Sequence, residues 1–237
     1  ASIISSFPGD HFQFDLAGPF PSSNNKEYIL VVVDAFSGMV FLFALNNKSA
    51  NSVCTALLQL FFTVGFPIEV QSDNAAEFKG TVVESMLKDF NIKHRFIAPY
   101  NSHANGLVER HVGIVKLALK KMVAAENKNL STWSQYLFRV QFVINTRVNL
   151  ISGFSPFNIF FCRGPRGLLP YSESEHRSIE SIPDWLSSNN VLFSDWYDEI
   201  SRIQETQLAV SLKNFNDRHN IVENDIPINS IVYIDNR

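Results

Sequence analysis

Residues 28–36 read YILVVVDAF, and this stretch decides the fold. Apolar side chains fill almost every position, the mark of a strand covered on both faces. Ser37-Gly38 supplies a turn, and residues 39–45, MVFLFAL, return as a second strand. Upstream, residues 11–20, HFQFDLAGPF, place Phe12, Phe14 and Leu16 at alternate positions and end at Gly18-Pro19. That period of two predicts a strand with Asp15 held between apolar neighbours. The three stretches together predict an antiparallel meander. Each is strand-sized, and no apolar run reaches the length of a membrane-spanning helix.

The pattern then changes. Residues 49–64 carry Val53, Ala56, Leu57, Leu60 and Phe61 at helical spacing, and Gly65 stops them. Residues 68–71 predict a short strand running into Ser72-Asp73-Asn74. Residues 81–90 predict a second helix and residues 92–97 a fifth strand. Residues 99–106, PYNSHANG, read as a polar loop. Long helices are expected over 107–125 and 131–148, followed by a Gly/Pro-rich stretch at 153–170. Residues 171–182 are acidic and serine-rich, 185–214 read as helical, and 225–234 turn strand-like. The expectation is an α/β fold: a five-stranded mixed sheet flanked by helices, with a C-terminal helical extension.

Composition narrows the function classes. With 46% hydrophobic residues and 21 Phe, the chain has far more apolar surface than a disordered protein could leave in water. Cys54 and Cys162 form no CxxC pair and the six His show no ligand spacing, which argues against a disulfide scaffold and a zinc finger. A reducing intracellular compartment fits. The N-terminal ASIISSFPGDHF lacks the layout of a signal peptide, and no membrane partner is expected. The formal charge of −3 hides an asymmetry: residues 1–170 hold 15 Lys/Arg against 11 Asp/Glu, while residues 171–237 hold 5 against 12. The first part is able to face phosphates; alternatively, its small excess is ordinary surface variation.

Three carboxylates stand out. Asp15 sits within a strand, where acids are disfavoured; the bland alternative is that it points into water. Asp73 follows a short strand, and ligand sites in α/β sheets gather beyond the carboxyl ends of strands; the alternative is a turn or capping Asp. Glu109 is expected in the first turn of a long helix, where the helix dipole alone favours an acid. If the sheet brings all three together, their repulsion requires a cation. Oxygen donors select Mg²⁺ or Mn²⁺. Two such ions suit in-line phosphoryl transfer without any His or Cys.

Asp73 and Glu109 have 35 residues between them, with Asp15 upstream in FDLAGPF. With QSDNAAEF around Asp73, PYNSHANGLVER through Glu109 and NTRVNLISGFSPFNIFFCRGPR at 145–166, this resembles the D,D-35-E pattern of retroviral and gypsy-type LTR-retrotransposon integrases. The resemblance covers residues 7–170. It implies an RNase H-like fold and a polynucleotidyl transferase that holds two Mg²⁺ or Mn²⁺ ions on Asp15, Asp73 and Glu109. Its reactions would be water-driven trimming of the element's 3′ DNA ends and their joining to target DNA. Implied partners are element DNA ends, target DNA and further copies of the chain, as a dimer or larger; the implied location is the nucleus. DNA contacts are expected from Asn74, Tyr100, Asn101, Asn105, Lys116 and Lys120. Lys116 lies seven residues after Glu109, hence on the same helix face, which a solvated amphipathic face also explains. Trp133, Phe138 and Phe142 are expected in core or dimer contacts.

The resemblance further implies a catalytic core over 1–165, a linker and helical extension over 166–220, and the start of a C-terminal β-barrel over 221–237. One departure concerns Ala75, where relatives carry Gly: a positive φ there would cost about 1 kcal/mol or more. Two other readings remain open at this point. One is a host-captured relative kept as a DNA- or protein-binding module without chemistry. The other is a different nuclease of the same fold.

Overall fold

The computed structural model describes residues 7–97, 102–150, 152–165, 197–203, 205, 206, 209, 210 and 213, with residues 102–105 described by backbone alone. The chain divides into two compact units, residues 1–193 and 194–237. In the second, residues 197–203 are helical. The acidic stretch at 171–182 and the strand-like end at 225–234 lie outside the described residues.

The first unit is built on β1 (His11–Ala17), β2 (Tyr28–Asp34), β3 (Val40–Leu45), β4 (Glu69–Ser72) and β5 (Lys93–Phe96). Their order across the sheet is β3-β2-β1-β4-β5. The pairs β1–β2 and β2–β3 are antiparallel, as the meander expectation has it, whereas β1–β4 and β4–β5 are parallel. This is the expected five-stranded mixed sheet.

Strand alternation sends apolar residues to two cores. Phe12, Phe14, Leu30 and Val32 pack with Val53, Leu57 and Phe61 of α1 (Ala50–Val64) and with Val83 and Leu87 of α2 (Thr81–Asp89). On the other face Ile29, Val31 and Val33 meet Val108, Val112, Val115 and Leu119 of α3 (Ser102–Ala125). Burial on both sides is why β2 reads as one continuous apolar run. The helix signals also hold: the Ser49 side chain accepts from Ser52 N–H, and the Gly65 N–H donates to the Phe61 carbonyl at φ 105°. Among the described residues no helix is long and apolar enough to cross a membrane.

Two expectations need correction. The polar stretch at 99–106 is not loop throughout, because α3 begins at Ser102. A single Gly106 costs a helix only about 1 kcal/mol, which the apolar stripe of a 24-residue helix absorbs. The helix expected over 131–148 is also two elements, a 3-10 helix at Leu130–Tyr136 followed by α4 (Leu137–Thr146). Leu130, Trp133 and Tyr136 repeat every third residue and all join the α3-side core, the period of a 3-10 turn. Leu137, Val140 and Ile144 then revert to α spacing. Trp133 lies in the core and its indole N–H donates to the Pro21 carbonyl at 2.9 Å. Phe138 and Phe142, in contrast, are exposed. Beyond α4, Pro156–Phe161 forms the short α5, started by a Ser155 capping box inside the Gly/Pro-rich stretch.

An edge strand leaves backbone groups in need of partners. At β3 two side chains of α4 supply them. Val40 N–H donates to Asn145 Oδ1 at 2.8 Å, and Asn145 Nδ2 donates to the Val40 carbonyl at 2.7 Å. Leu42 N–H donates to Gln141 Oε1 at 2.7 Å. Asn145 is 2% exposed. Replacing Asn145 with Leu leaves a buried N–H and a buried C=O without partners. The expected loss is about 2–4 kcal/mol of unfolding free energy, measured by urea denaturation; Gln141→Leu, with one bond to lose, should cost less.

Candidate active site

The geometry of the site follows from the parallel pairing of β1 and β4. His11 is opposite Glu69 and Gln13 is opposite Gln71. Carried two residues further, the same register sets Asp15 beside Asp73, just past the end of β4. Asp15 is also opposite Val31, a member of the α3-side core, so it faces α3. Helix α3 carries Glu109 and Lys116. The charges of Asp73, Glu109 and Lys116 all act on Asp15. Side chains far apart in the chain therefore share one neighbourhood.

Asp15 is partly buried, and its carboxyl is pushed up to about 6. Burial is the main cause; the negative charges of Asp73 and Glu109 add to it, and the Leu16 N–H, 2.7 Å from Oδ1, and Lys116 oppose it. A carboxyl that resists ionisation beside two others is what a cation would relieve. The donor set fits a hard divalent ion, being oxygen alone. As they stand, however, no three His, Cys, Asp or Glu side chains among the described residues form a ready cage.

Other predicted residues are placed as follows. Glu109 is exposed and lies well inside α3 instead of in its first turn, so the helix dipole no longer accounts for an acid at this position. Lys116 and Lys120 are exposed on α3. Asn105 lies within α3, while Tyr100 and Asn101 are outside the described residues. Asn74 is tied inward: its Nδ2 donates to the Ile97 carbonyl at 2.6 Å, fastening the turn after β4 to the end of β5. Ala75 has no left-handed φ, so the feared strain is absent. Its N–H donates to Asp73 Oδ1 at 3.0 Å.

Sequence reasoning passed over His94. On the opposite face from Asp15, His94 Nε2 and Ser72 Oγ are 2.9 Å apart, and Ser72 Oγ donates to the Asp73 carbonyl. The ring stacks on Phe14 at 5.9 Å and leans on Phe96 at 4.0 Å. It braces the strand ends that carry both aspartates. The only signal was a histidine between charged residues in a four-residue strand, which is too little to notice.

Residues 6–102 match the integrase core domain family. The Pro-Pol polyprotein of simian foamy virus type 3 is 29% identical over 168 residues, covering 71% of this chain and 14% of that polyprotein. Gypsy retrotransposon integrase-like protein 1 of Macaca fascicularis is 28% identical over 195 residues, covering 81% of this chain and 34% of that protein. The chain is thus similar to retroviral-type integrase catalytic cores. It spans about a seventh to a third of these relatives. The HTLV-2 integrase catalytic core domain, solved in complex with magnesium, superposes with a TM-score of 0.54 at 24% identity, covering 65% of this chain and 97% of that one. This likeness concerns the fold, which is RNase H-like. That core was solved in trimeric and dimeric forms.

Burial depresses His94 to about 4. A depressed histidine stabilises the fold above its unfolded value of about 6.5, and that stability disappears as pH falls through about 4. His94→Phe, which keeps the ring packing and cannot take up a proton, should therefore show a shallower loss of stability between pH 6.5 and 4 than the parent. Urea midpoints across that range test this; an unchanged slope would show that His94 takes up its proton as readily in the fold as in the unfolded chain.

Proposed function

We propose that the integrase core in this chain performs divalent-metal-dependent trimming of element DNA 3′ ends and their transfer into target DNA. The observation that carries this reading is the convergence of Asp15, Asp73 and Glu109 through the β1–β4 register and helix α3. Those three would hold Mg²⁺ or Mn²⁺. Two ions, when bound, supply activation of the attacking oxygen and stabilisation of the leaving one.

The chain's own groups have separate tasks. Asp15 and Asp73 meet from neighbouring strands whose ends are braced by Ser72, Asn74 and His94. Glu109 approaches from the helix. Lys116, whose charge reaches Asp15, would draw a DNA phosphate towards the acids. Lys120 extends that stripe along α3, and Tyr100, Asn101 and Asn105 stand near it in sequence. A homo-oligomer, dimer or larger, fits the exposed Phe138, Phe142 and Val143 of α4. Action on chromosomal DNA would place the protein in the nucleus.

Asp15→Asn, Asp73→Asn and Glu109→Gln should each lower end trimming and strand transfer on the order of 10³-fold or more. Magnesium should raise the melting temperature of the parent, and Asp73→Asn should abolish that rise. A parent chain that binds DNA but neither trims nor joins ends in Mg²⁺ or Mn²⁺ would instead fit a captured binding module.

A further inference from the structure

Strand β5 ends the sheet, with β4 on one side and no strand on the other. Its hydrogen bonds fix which groups face outward. Lys93 N–H donates to the Ile68 carbonyl at 3.0 Å, and Ile97 N–H donates to the Ser72 carbonyl at 3.1 Å. Every second residue therefore faces β4, and the N–H and C=O of His94 and Phe96 face the other way. Among the described residues none of these backbone groups has a hydrogen-bond partner. At the far end of the sheet, Gln141 and Asn145 cap the β3 edge. Strand β5 has no such cap among the described residues, contains no proline and keeps an unbroken register with β4. An edge of this kind is a template for another strand.

The side chains around the edge describe the strand that fits. Lys93 and Arg95 stand on one face, beside Glu69 and Gln71, and both are exposed. Glu69 is shared between His11 at 3.4 Å and Arg95 at 3.9 Å, and no carboxylate among the described residues pairs with Lys93. On the other face His94 and Phe96 line a groove of about 410 Å³ together with Leu87, Glu84 and Lys88 of α2. Glu84 and Lys88, one helical turn apart, offset each other in charge. A strand laid along β5 sends alternate side chains to these two faces. Acids match Lys93 and Arg95; apolar groups match the groove, over Leu87 and Phe96. A second copy of the chain supplies no such match. Two β5 strands related by a two-fold axis run antiparallel and, centred on His94, set lysine against arginine, and like charges directly opposite are unfavourable.

We propose that β5 is a docking edge for another protein, whose extended segment, acidic and apolar at alternate positions, joins the sheet as a further strand. Main-chain bonds to His94 and Phe96 hold the segment, and the charges of Lys93 and Arg95 select it.

A capped peptide alternating glutamate and valine is the probe, with the whole chain as its target. At peptide tenfold above its dissociation constant, amide exchange at His94 and Phe96, followed by NMR, should slow about tenfold. Exchange at Lys93 and Arg95, which face β4, should change little. N-methylating one alternate set of peptide residues should weaken binding about tenfold or more, and N-methylating the other set should not. Lys93→Glu, a change at an exposed position, should weaken binding about fivefold or more and strengthen binding of the peptide with lysine in place of glutamate. Unchanged exchange at His94 and Phe96, equal effects of the two methylated sets, or equal affinity for the glutamate and lysine peptides would overturn the proposal. So would protection of the same two amides by self-association of the chain, or by a DNA duplex, in place of the peptide.

Discussion

The parallel contact between β1 and β4 is the constraint on which the rest depends. Parallel neighbours cannot be joined by a hairpin. Here the chain lays down β2, β3 and α1 before β4 returns alongside β1. The register is held on its apolar side, where Phe12, Phe14 and Val70 share a core with α1 and α2. Shifting β4 by one residue would turn Val70 out of that core and send Asp73 to the wrong face. Hydrophobic burial on one side of the sheet therefore fixes where the acids stand on the other.

Gathering like charges works against the fold. Asp15 resists ionisation because it is partly buried and because Asp73 and Glu109 are near, with Lys116 a partial counterweight. The surrounding structure keeps this arrangement through ordinary means: the Asn74 bond to Ile97, the Ser72–His94 pair and the Ala75 N–H on Asp73. None of these groups needs to touch substrate. They hold the strand ends on which Asp15 and Asp73 stand.

Much of this was legible in the sequence, for physical reasons. Alternation in HFQFDLA, the unbroken YILVVVD and the Ser49 and Gly65 signals all report local periodicity and backbone preference, which a sequence displays directly. The strand pairing that joins Asp15 to Asp73 is non-local, and there the family resemblance carried the expectation. What escaped notice was of two kinds. Stretches with mixed signals, such as the polar start of α3 and the 3-10 turn before α4, are settled by packing over a whole element. Side chains whose role depends on distant backbone, such as Asn145 at the β3 edge and His94 behind Ser72, look like any other polar residue until the sheet is assembled.

Helix α3 shows how one element serves both demands. Val108, Val112, Val115 and Leu119 recur at spacings of three and four and seal the sheet. Glu109 and Lys116, seven residues apart, fall on a neighbouring stripe almost in line, because seven residues make nearly two turns. The valines cannot move without opening the core, so the stripe beside them cannot move either. A loop could carry the same two charges to the site. It would not tie Glu109 and Lys116 to the packing of the core, as the long helix does.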